Sequence, residues 1–332
     1  MSTPPTRPAA TPGPAVPAGP RRHQGYPPPA TGPRRAPSPG PLPPAESRCA
    51  PVAESRGEPL AGTARSASRW LLIEHPGPWG IEPPRDSRLD GAAAAELSAW
   101  AAYAGVKLML IRRPGRDPAG TRRWAYVDSR PGREASWWGH WSTPADLLDL
   151  PAHVPPAGPP TAVATYLVCV NGRRDPCCGV RGRPVAAVLV RARPEQTWEC
   201  SHIGGDRFAA NLLALPHGLS YGRLTPATAV AVADAYERGH VEPTWLRGRT
   251  CLPPPAQAAE HFARQALGET SLDALQPRSA VARDASTWQI RLGPPEHTVL
   301  IRLGHTEPFP QGCRWPDPEP APTFELLDIQ PG

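Results

Sequence analysis

The stretch CVNGRRDPCC, from Cys169 to Cys178, and the stretch WECSHIGGD, from Trp198 to Asp206, decide how this chain is interpreted. Between Cys169 and Asp206 lie four of the seven cysteines of the protein. Eight residues separate Cys169 from Cys178, and His202 stands four positions before Asp206. Sulfur, imidazole and carboxylate groups are the ligands of metal ions and iron–sulfur clusters in proteins. This segment therefore predicts a metal or cluster site.

The local sequence favours the thiolate form of Cys178. Asp175 followed by Pro176 is typical of a helix N-cap with proline at the first helical position, so Cys177 and Cys178 are expected in a first helical turn. Unpaired N–H groups at a helix start stabilise a thiolate, which is the form that binds metal. Gly179, and Gly182 after it, would let the backbone wrap closely around a bound group.

Composition and charge exclude some function classes. The net charge is +6, but residues 1–65 hold eight arginines against three glutamates, so five of the six excess charges lie there. The rest of the chain lacks the basic footprint of a nucleic-acid-binding domain. No apolar run is long enough for a membrane span, and the N-terminus lacks the apolar core of a signal peptide. Cysteines clustered in a chain without an export signal predict a cytoplasmic protein that uses thiols as ligands or redox groups.

Composition also predicts the domain organisation. Residues 1–45 contain sixteen prolines and almost no large apolar side chains, so they cannot offset the entropy of ordering. Five regions are expected: a disordered Pro/Arg-rich tail over 1–48, an α/β domain over 49–150, a proline-rich linker over 151–160, a second α/β domain over 161–250, and a helix with a β-hairpin over 251–332. The last region is expected to pack on the second domain without a large core of its own.

Apolar patterning predicts the secondary structure of both domains. The first domain is expected to contain strands at 70–74, 107–111, 124–127 and 137–141, and a helix from Asp90, its N-cap, to 104. The second is expected to contain strands at 166–170, 197–201, 211–215 and 220–224, and helices at 185–193 and 227–238. Pro184 fits the first position of the earlier helix, and Thr225 fits the N-cap of the later one. The C-terminal region is expected to contain a helix at 256–267, a hairpin of 288–292 with 298–303, and a strand at 324–329.

Four segments resemble the sucrase/ferredoxin-like family. They are CVNGRRDPCCGVRGRP from residue 169, WECSHIGGDRFAANLLALPHGLSYGRLTP from 198, LAGTARSASRWLLIEHPGPWG from 60 and LRGRTCLPPPAQAAE from 246. The first two are long and specific, and the resemblance covers roughly residues 49–328. It implies a thioredoxin-like 2Fe–2S ferredoxin domain over 161–250, with the order strand–helix–strand–hairpin–helix. The fold class is then α/β: this domain preceded by a similar, degenerate unit and followed by a small β-rich extension.

The resemblance also implies a set of cluster ligands. Members of the family are thought to hold a 2Fe–2S cluster with two cysteines eight residues apart and two histidines in an H-x-x-x-H pattern. Cys169 and Cys178 match the cysteine pair, and His202 matches the first histidine. Asp206 stands in the position of the second histidine, so this sequence departs from the family pattern there.

The fourth ligand is therefore open. Asp206 is one candidate, Cys200 and His217 are fallback candidates, and loss of the cluster is the third outcome. Carboxylate oxygen is an uncommon ligand of iron–sulfur clusters. Asp206 could equally be a helix cap or an ion-pair partner of Arg207. Two glycines between His202 and Asp206 predict a tight loop with positive φ.

The remaining cysteines are expected to be bystanders. Cys177 adjoins Cys178 and cannot easily bind the same iron, which leaves it as a structural or redox-sensitive thiol. Cys251 and Cys313 are expected to hold no ligand.

The leading function is electron transfer on a 2Fe–2S cluster, with an unidentified redox protein as partner and no nucleic acid or membrane. Such a protein is an electron carrier and not an enzyme that turns over a substrate. The alternatives are a zinc site made of the same side chains and a cluster-free, thioredoxin-like thiol protein. The thiol alternative is weakened because the sequence has vicinal cysteines and no C-x-x-C. Glycoside hydrolysis needs two positioned carboxylates, and no convincing pair is present.

Overall fold

The protein folds as a mixed α/β structure, described here from a computed structural model covering residues 40–114, 121–161 and 163–332. Its helices are α1 Cys49–Ser55, α2 Gly91–Ala104, α3 Pro144–His153, α4 Pro176–Ala192, α5 Pro226–Glu237 and α6 Pro254–Leu267. The described residues also form three short 3-10 helices, Ala45–Ser47, Asp206–Phe208 and Pro243–Trp245. No helix among the described residues combines the length and the apolar composition needed to cross a bilayer.

One large sheet contains nine strands. They are β1 Arg69–Glu74, β2 Lys107–Arg112, β3 Arg122–Asp128, β4 Ala135–Trp141, β5 Thr165–Cys169, β6 Thr197–Cys200, β7 Leu212–Leu215, β8 Leu219–Tyr221 and β9 Leu246–Arg249. Across the sheet the order is β4-β3-β1-β2-β6-β5-β7-β8-β9. Strands β1 and β2 are parallel, as are β5 and β6, and the other neighbours are antiparallel.

The two halves of this sheet repeat one arrangement. Each half has a strand, a helix and a parallel strand, then an antiparallel hairpin and a second helix, with equivalent strand orders β2-β1-β3-β4 and β6-β5-β7-β8. The halves join where β2 pairs with β6, with Ile111 opposite Cys200. The expected linker 151–160 therefore connects two halves of one continuous sheet.

Alternation of side chains along the strands buries both faces of the sheet. Leu71 and Ile73 of β1 point into the core beneath α2, α4 and α5, whereas Trp70 and Leu72 point into the core on the opposite face. All but one of the cysteines belong to the buried cluster on this opposite side, which also includes Ala50 of α1. The fold thus places the predicted cysteine ligands in one buried cluster together with the first residues of α1.

The C-terminal region forms its own core, which corrects the expectation that it would not. It contains a four-stranded sheet of β10 Gln276–Ala282, β11 Thr287–Gly293, β12 His297–His305 and β15 Pro322–Pro331. It also contains a pair of antiparallel strands, β13 Phe309–Gly312 and β14 Trp315–Glu319. Helix α6 covers the four-stranded sheet, and Trp288, Ile290 and Val299 are buried beneath it. The opposite side of α6 contacts β9, so this helix joins the two sheets.

Capping signals located two helices correctly. The Asp90 carboxylate accepts a hydrogen bond from the Ala93 N–H and starts α2, and Thr225 forms a capping box with Thr228 at the start of α5. Pro184 was misleading: it lies inside α4, which begins eight residues earlier at Pro176 with Asp175 as its N-cap. The Asp175-Pro176 signal is therefore the start of the long helix.

Several further elements were not predicted, among them two helices, a 3-10 helix and a strand that lie near the predicted domains. Helix α1 and the 3-10 helix Ala45–Ser47 lie at the junction with the proline-rich tail, most of which, residues 1–39, lies outside the described residues. Helix α3 includes Pro151, so its last residues occupy the start of the expected linker. Strand β9 contains Gly248, which weakens the strand pattern.

Candidate metal centre

The structure brings the four predicted ligands together. Cys169 ends β5, Cys178 lies in the first turn of α4, His202 lies in the loop after β6, and Asp206 begins the 3-10 helix that follows this loop. The Cys178 Sγ lies 3.3 Å from Asp206 Oδ1, and His202 Nδ1 lies 3.2 Å from the same oxygen. We call these four residues, together with Cys200, the ferredoxin-motif group.

Cys169 is the centre of this group. Its contacts with Cys178, Cys200 and His202 hold the pKa of Cys169 well below its usual value, although burial opposes the shift. The pKa of Cys178 is raised, first by its hydrogen bond to Cys169 and then by burial. Burial chiefly raises the pKa of Cys200. Cys169 is thus the favoured thiolate of the group, and a cation would be needed to stabilise a second one.

His202 and Asp206 form a buried ion pair. Burial by itself would lower the pKa of His202 and raise that of Asp206, but their mutual attraction reverses both shifts. The positive charge of Arg174 also lowers the pKa of Asp206. His202 Nδ1 is close to the carboxylate without hydrogen-bond geometry, and it has no hydrogen-bond partner among the described residues. Because only the neutral ring binds metal, His202 would have to lose its proton before this nitrogen could act as a ligand.

The loop that carries these two residues is held by Arg247, which sequence reasoning missed. Gly204 and Gly205 have φ of 106° and 77°, as the glycine pair predicted. The buried Arg247 guanidinium donates 2.8 Å hydrogen bonds to the Gly204 carbonyl and to Asn211 Oδ1. A Cβ on Gly205 would lie 2.2 Å from Arg247 Nη2. The family-like segment from residue 246 contains this arginine, but no pattern revealed its contact with the loop.

Helix α4 packs directly on the end of β5 through two glycines. An added Cβ on Gly182 would lie 2.1 Å from the carbonyl oxygen of Cys169, and one on Gly179 would lie 2.8 Å from the Gly172 Cα. These glycines therefore serve close contact between backbones, whereas the sequence suggested that they wrap around a bound group. The contact fixes Cys178 relative to Cys169.

The structure distinguishes the alternative roles that the sequence left open for Cys200, His217 and Arg207. Cys200 belongs to the ferredoxin-motif group, but His217 does not: its Nδ1 lies 2.6 Å from the hydroxyl of Tyr236, and burial lowers its pKa to about 4. Arg207 pairs with Glu58 at 2.7 Å and not with Asp206. The predicted pairing of Asp206 with Arg207 is therefore wrong, whereas the role of Asp206 as a ligand stays a prediction.

A second group of cysteines was not predicted. Cys49, Asp175, Cys177 and Cys313 are all buried, and each offers one ligand atom within 4.8 Å of the others. We call them the Cys3Asp group, and they could hold a metal ion. Nothing in the sequence indicated that Cys313, expected to hold no ligand, and Cys177, expected to be a bystander, would lie in one group. Successive residues of a helix point about 100° apart, so Cys177 and Cys178 reach different groups.

Protonation in the Cys3Asp group is unevenly distributed. The contacts of Cys177 with Cys313 and then with Cys49 lower its pKa to about 3, although burial opposes the shift. Conversely, the pKa of Cys313 rises to about 12, first because of its contact with Cys177. Burial, together with the charge of Asp206, raises the pKa of Asp175 to about 7. The influence of Asp206 on Asp175 shows that the two groups are electrostatically coupled.

Comparison with known proteins supports the resemblance. The family model described as sucrase/ferredoxin-like matches residues 60–248, more than half of the chain. The protein therefore belongs to the sucrase/ferredoxin-like family. No curated protein and no solved structure gave a match. All five residues of the ferredoxin-motif group lie inside the matched range, whereas Cys49 and Cys313 lie outside it.

Proposed function

We propose that this protein transfers single electrons on a 2Fe–2S cluster held by the ferredoxin-motif group. The observation that carries the proposal is the convergence of Cys169, Cys178, His202 and Asp206 in one buried place, on residues matched by the family. We further assign the scaffold over 161–250 to the thioredoxin-like class. The strand–helix–strand–hairpin–helix order of this half supports that assignment.

The residues present fit such a cluster. Two thiols, one imidazole and one carboxylate form a mixed donor set, and the buried His202 nitrogen lacks a hydrogen-bond partner among the described residues. In this proposal Cys169 and Cys178 are the thiolate ligands, and His202 and Asp206 are the ligands of the second iron. Cys200 remains a hydrogen-bond donor to Cys169. When bound, the cluster would supply one-electron redox chemistry.

The chain itself would tune this chemistry. Hydrogen bonds to sulfur and burial are general determinants of cluster potential. Arg174 places positive charge near His202 and Asp206, and Arg247 fixes the loop between them. The electron donor and acceptor would be other redox proteins.

Iron analysis with a cysteine variant tests the proposal. Protein purified without oxygen is expected to be brown and to contain about two irons and two acid-labile sulfides per chain. Cys178→Ser removes one thiolate and is expected to lower iron to below about a tenth of the wild-type content. Cys251→Ser is the matched control: Cys251 belongs to neither group, and this variant should keep its iron.

Two results would contradict the proposal. One is a colourless wild-type protein that takes up no iron under anaerobic reconstitution. The other is equal iron in the Cys178→Ser and Cys251→Ser variants, because the iron would then be bound elsewhere. Zinc in place of iron, lost in Cys178→Ser, would favour the zinc alternative for the same side chains.

Replacement of Asp206 by histidine tests the fourth ligand. Neutral imidazole in place of a carboxylate removes one negative charge from the cluster, and histidine ligation raises cluster potentials. The reduction potential of Asp206→His is expected to rise by on the order of 100 mV, measured by redox titration of the visible spectrum. Asp149→His, an exposed change in α3, is the control and should leave the potential unchanged. A lower or equal potential in a cluster-bearing Asp206→His protein would show that Asp206 is not a ligand.

A further inference from the structure

The Cys3Asp group gathers side chains from three distant segments. Cys49 is the first residue of α1, Asp175 and Cys177 lie at the start of α4, and Cys313 follows β13 in the turn before β14. The Cys313 sulfur lies 3.6 Å from Cys49 Sγ and 3.7 Å from Cys177 Sγ. The Cys49 sulfur lies 3.5 Å from Asp175 Oδ2. Three segments thus present four soft or anionic atoms to one point.

These distances match a tetrahedral zinc site. Zinc binds sulfur at about 2.3 Å and carboxylate oxygen at about 2.0–2.2 Å. In a tetrahedron these bonds place neighbouring sulfurs about 3.8 Å apart and a sulfur and an oxygen about 3.5 Å apart. The three observed separations of 3.6, 3.7 and 3.5 Å are close to these values, and all four ligand atoms lie within 4.8 Å of one another. We propose that Cys49, Cys177, Cys313 and Asp175 form a second metal site, which binds one Zn²⁺ as a structural ion.

Backbone N–H groups already orient the proposed ligands. The Cys177 N–H donates to Asp175 Oδ1 at 2.9 Å, and the Cys313 N–H donates to Asp175 Oδ2 at 2.7 Å. The Cys49 N–H points at Cys313 Sγ at 3.4 Å. Each carboxylate oxygen keeps a further lone pair for a metal. Such supporting hydrogen bonds around the ligands are a regular feature of metal sites.

A cavity adjoins the proposed site, and a metal ion bound there would have a structural role. A cavity of about 180 Å³ is lined by Cys49, Gly312 and Cys313 among others, which gives a metal ion a path from the surface. A bound ion would tie α1 and the β13–β14 hairpin to the start of α4. Because Cys49 and Cys313 lie outside residues 60–248, this site is an addition to the part of the chain that the family model matches.

Zinc analysis of the full-length protein tests this site separately from the iron site. Wild type produced with zinc is expected to contain about one zinc per chain. Cys49→Ser and Cys313→Ser are expected to contain less than about a fifth of that amount. Cys178→Ser and Cys251→Ser should keep their zinc, because neither residue belongs to the group. Zinc would therefore follow one pair of cysteines and iron the other.

Cobalt provides a readout that does not depend on the folding of variants. Wild-type protein loaded with Co²⁺ is expected to show the intense visible bands of tetrahedral, thiolate-bound cobalt, and zinc should displace them. The proposal would be overturned if the wild type held well under one zinc per chain and showed no such bands. It would also be overturned if Cys178→Ser lost as much zinc as Cys313→Ser. Mass spectrometry of anaerobically purified, unreduced wild type showing a Cys177–Cys313 or Cys49–Cys313 disulfide would overturn it too.

Discussion

Replacing Gly182 by alanine is expected to destabilise the protein by about 3 kcal/mol, the upper end of the usual cost of overpacking. The new methyl group would lie 2.1 Å from the carbonyl oxygen of Cys169, and this oxygen cannot move freely because β5 pairs with strands on both sides. Helix α4 would have to shift away from the strand, and Cys178 would shift with it. Chemical denaturation would measure the loss of stability, and iron analysis the loss of the proposed cluster.

Gly91→Ala is the matched control for this variant. Gly91 begins α2, is exposed, and has nothing within 4 Å of the position where its Cβ would be. Its replacement is expected to change the free energy of unfolding by less than about 0.5 kcal/mol. A Gly182→Ala protein as stable as Gly91→Ala would show that α4 can separate from Cys169 without cost.

The sequence predicted much of the fold because most of its signals are local. Asp90 and Thr225 marked the starts of α2 and α5 by their capping chemistry, and continuous apolar runs marked β1 and β2. Pro184 was misinterpreted since proline within a helix is unfavourable. The pairing of β2 with β6, which merges two units into one sheet, joins residues about ninety positions apart and has no local signal.

Separation along the sequence also explains which residues of the two candidate sites could be predicted to lie together. The ferredoxin motif places Cys169, Cys178 and His202 within one short stretch, so their proximity could be expected. The contact between Cys49 and Cys313 spans 264 positions, and only the folded chain reveals it. Arg247 was missed for a similar reason, since its role depends on a loop more than forty positions away.

Replacement of Glu260 by glutamine is expected to cost about 3 kcal/mol of stability or more, as is usual when one partner of a buried ion pair is removed. Glu260 Oε1 accepts hydrogen bonds from Arg249 Nε at 2.9 Å and from Arg264 Nη2 at 3.0 Å, and all three side chains are buried. The network joins β9 to α6, and hence the large sheet to the C-terminal core. Glutamine would leave two buried guanidinium groups without their counter-charge. Urea denaturation at pH 7 would measure the effect as a lower midpoint with an unchanged m value.

The pH dependence distinguishes lost charge from lost packing. Burial alone would raise the pKa of Glu260, but the two arginines hold it below its ordinary value of 4.5. A carboxylate with a lowered pKa stabilises the fold above its unfolded pKa, and this contribution disappears as the pH falls through the folded pKa. The stability difference between wild type and Glu260→Gln should therefore be largest near neutrality and shrink below about pH 4.5.

Glu325→Gln makes the same chemical change in an exposed pair. Glu325 lies 3.1 Å from Arg302, with side chains that are 65% and 53% exposed, so its loss should cost less than about 0.5 kcal/mol. If Glu260→Gln cost no more than Glu325→Gln, an amide would be satisfying both arginines as well as the carboxylate does. A large loss that did not change with pH would instead assign the effect to the packing of the glutamine side chain.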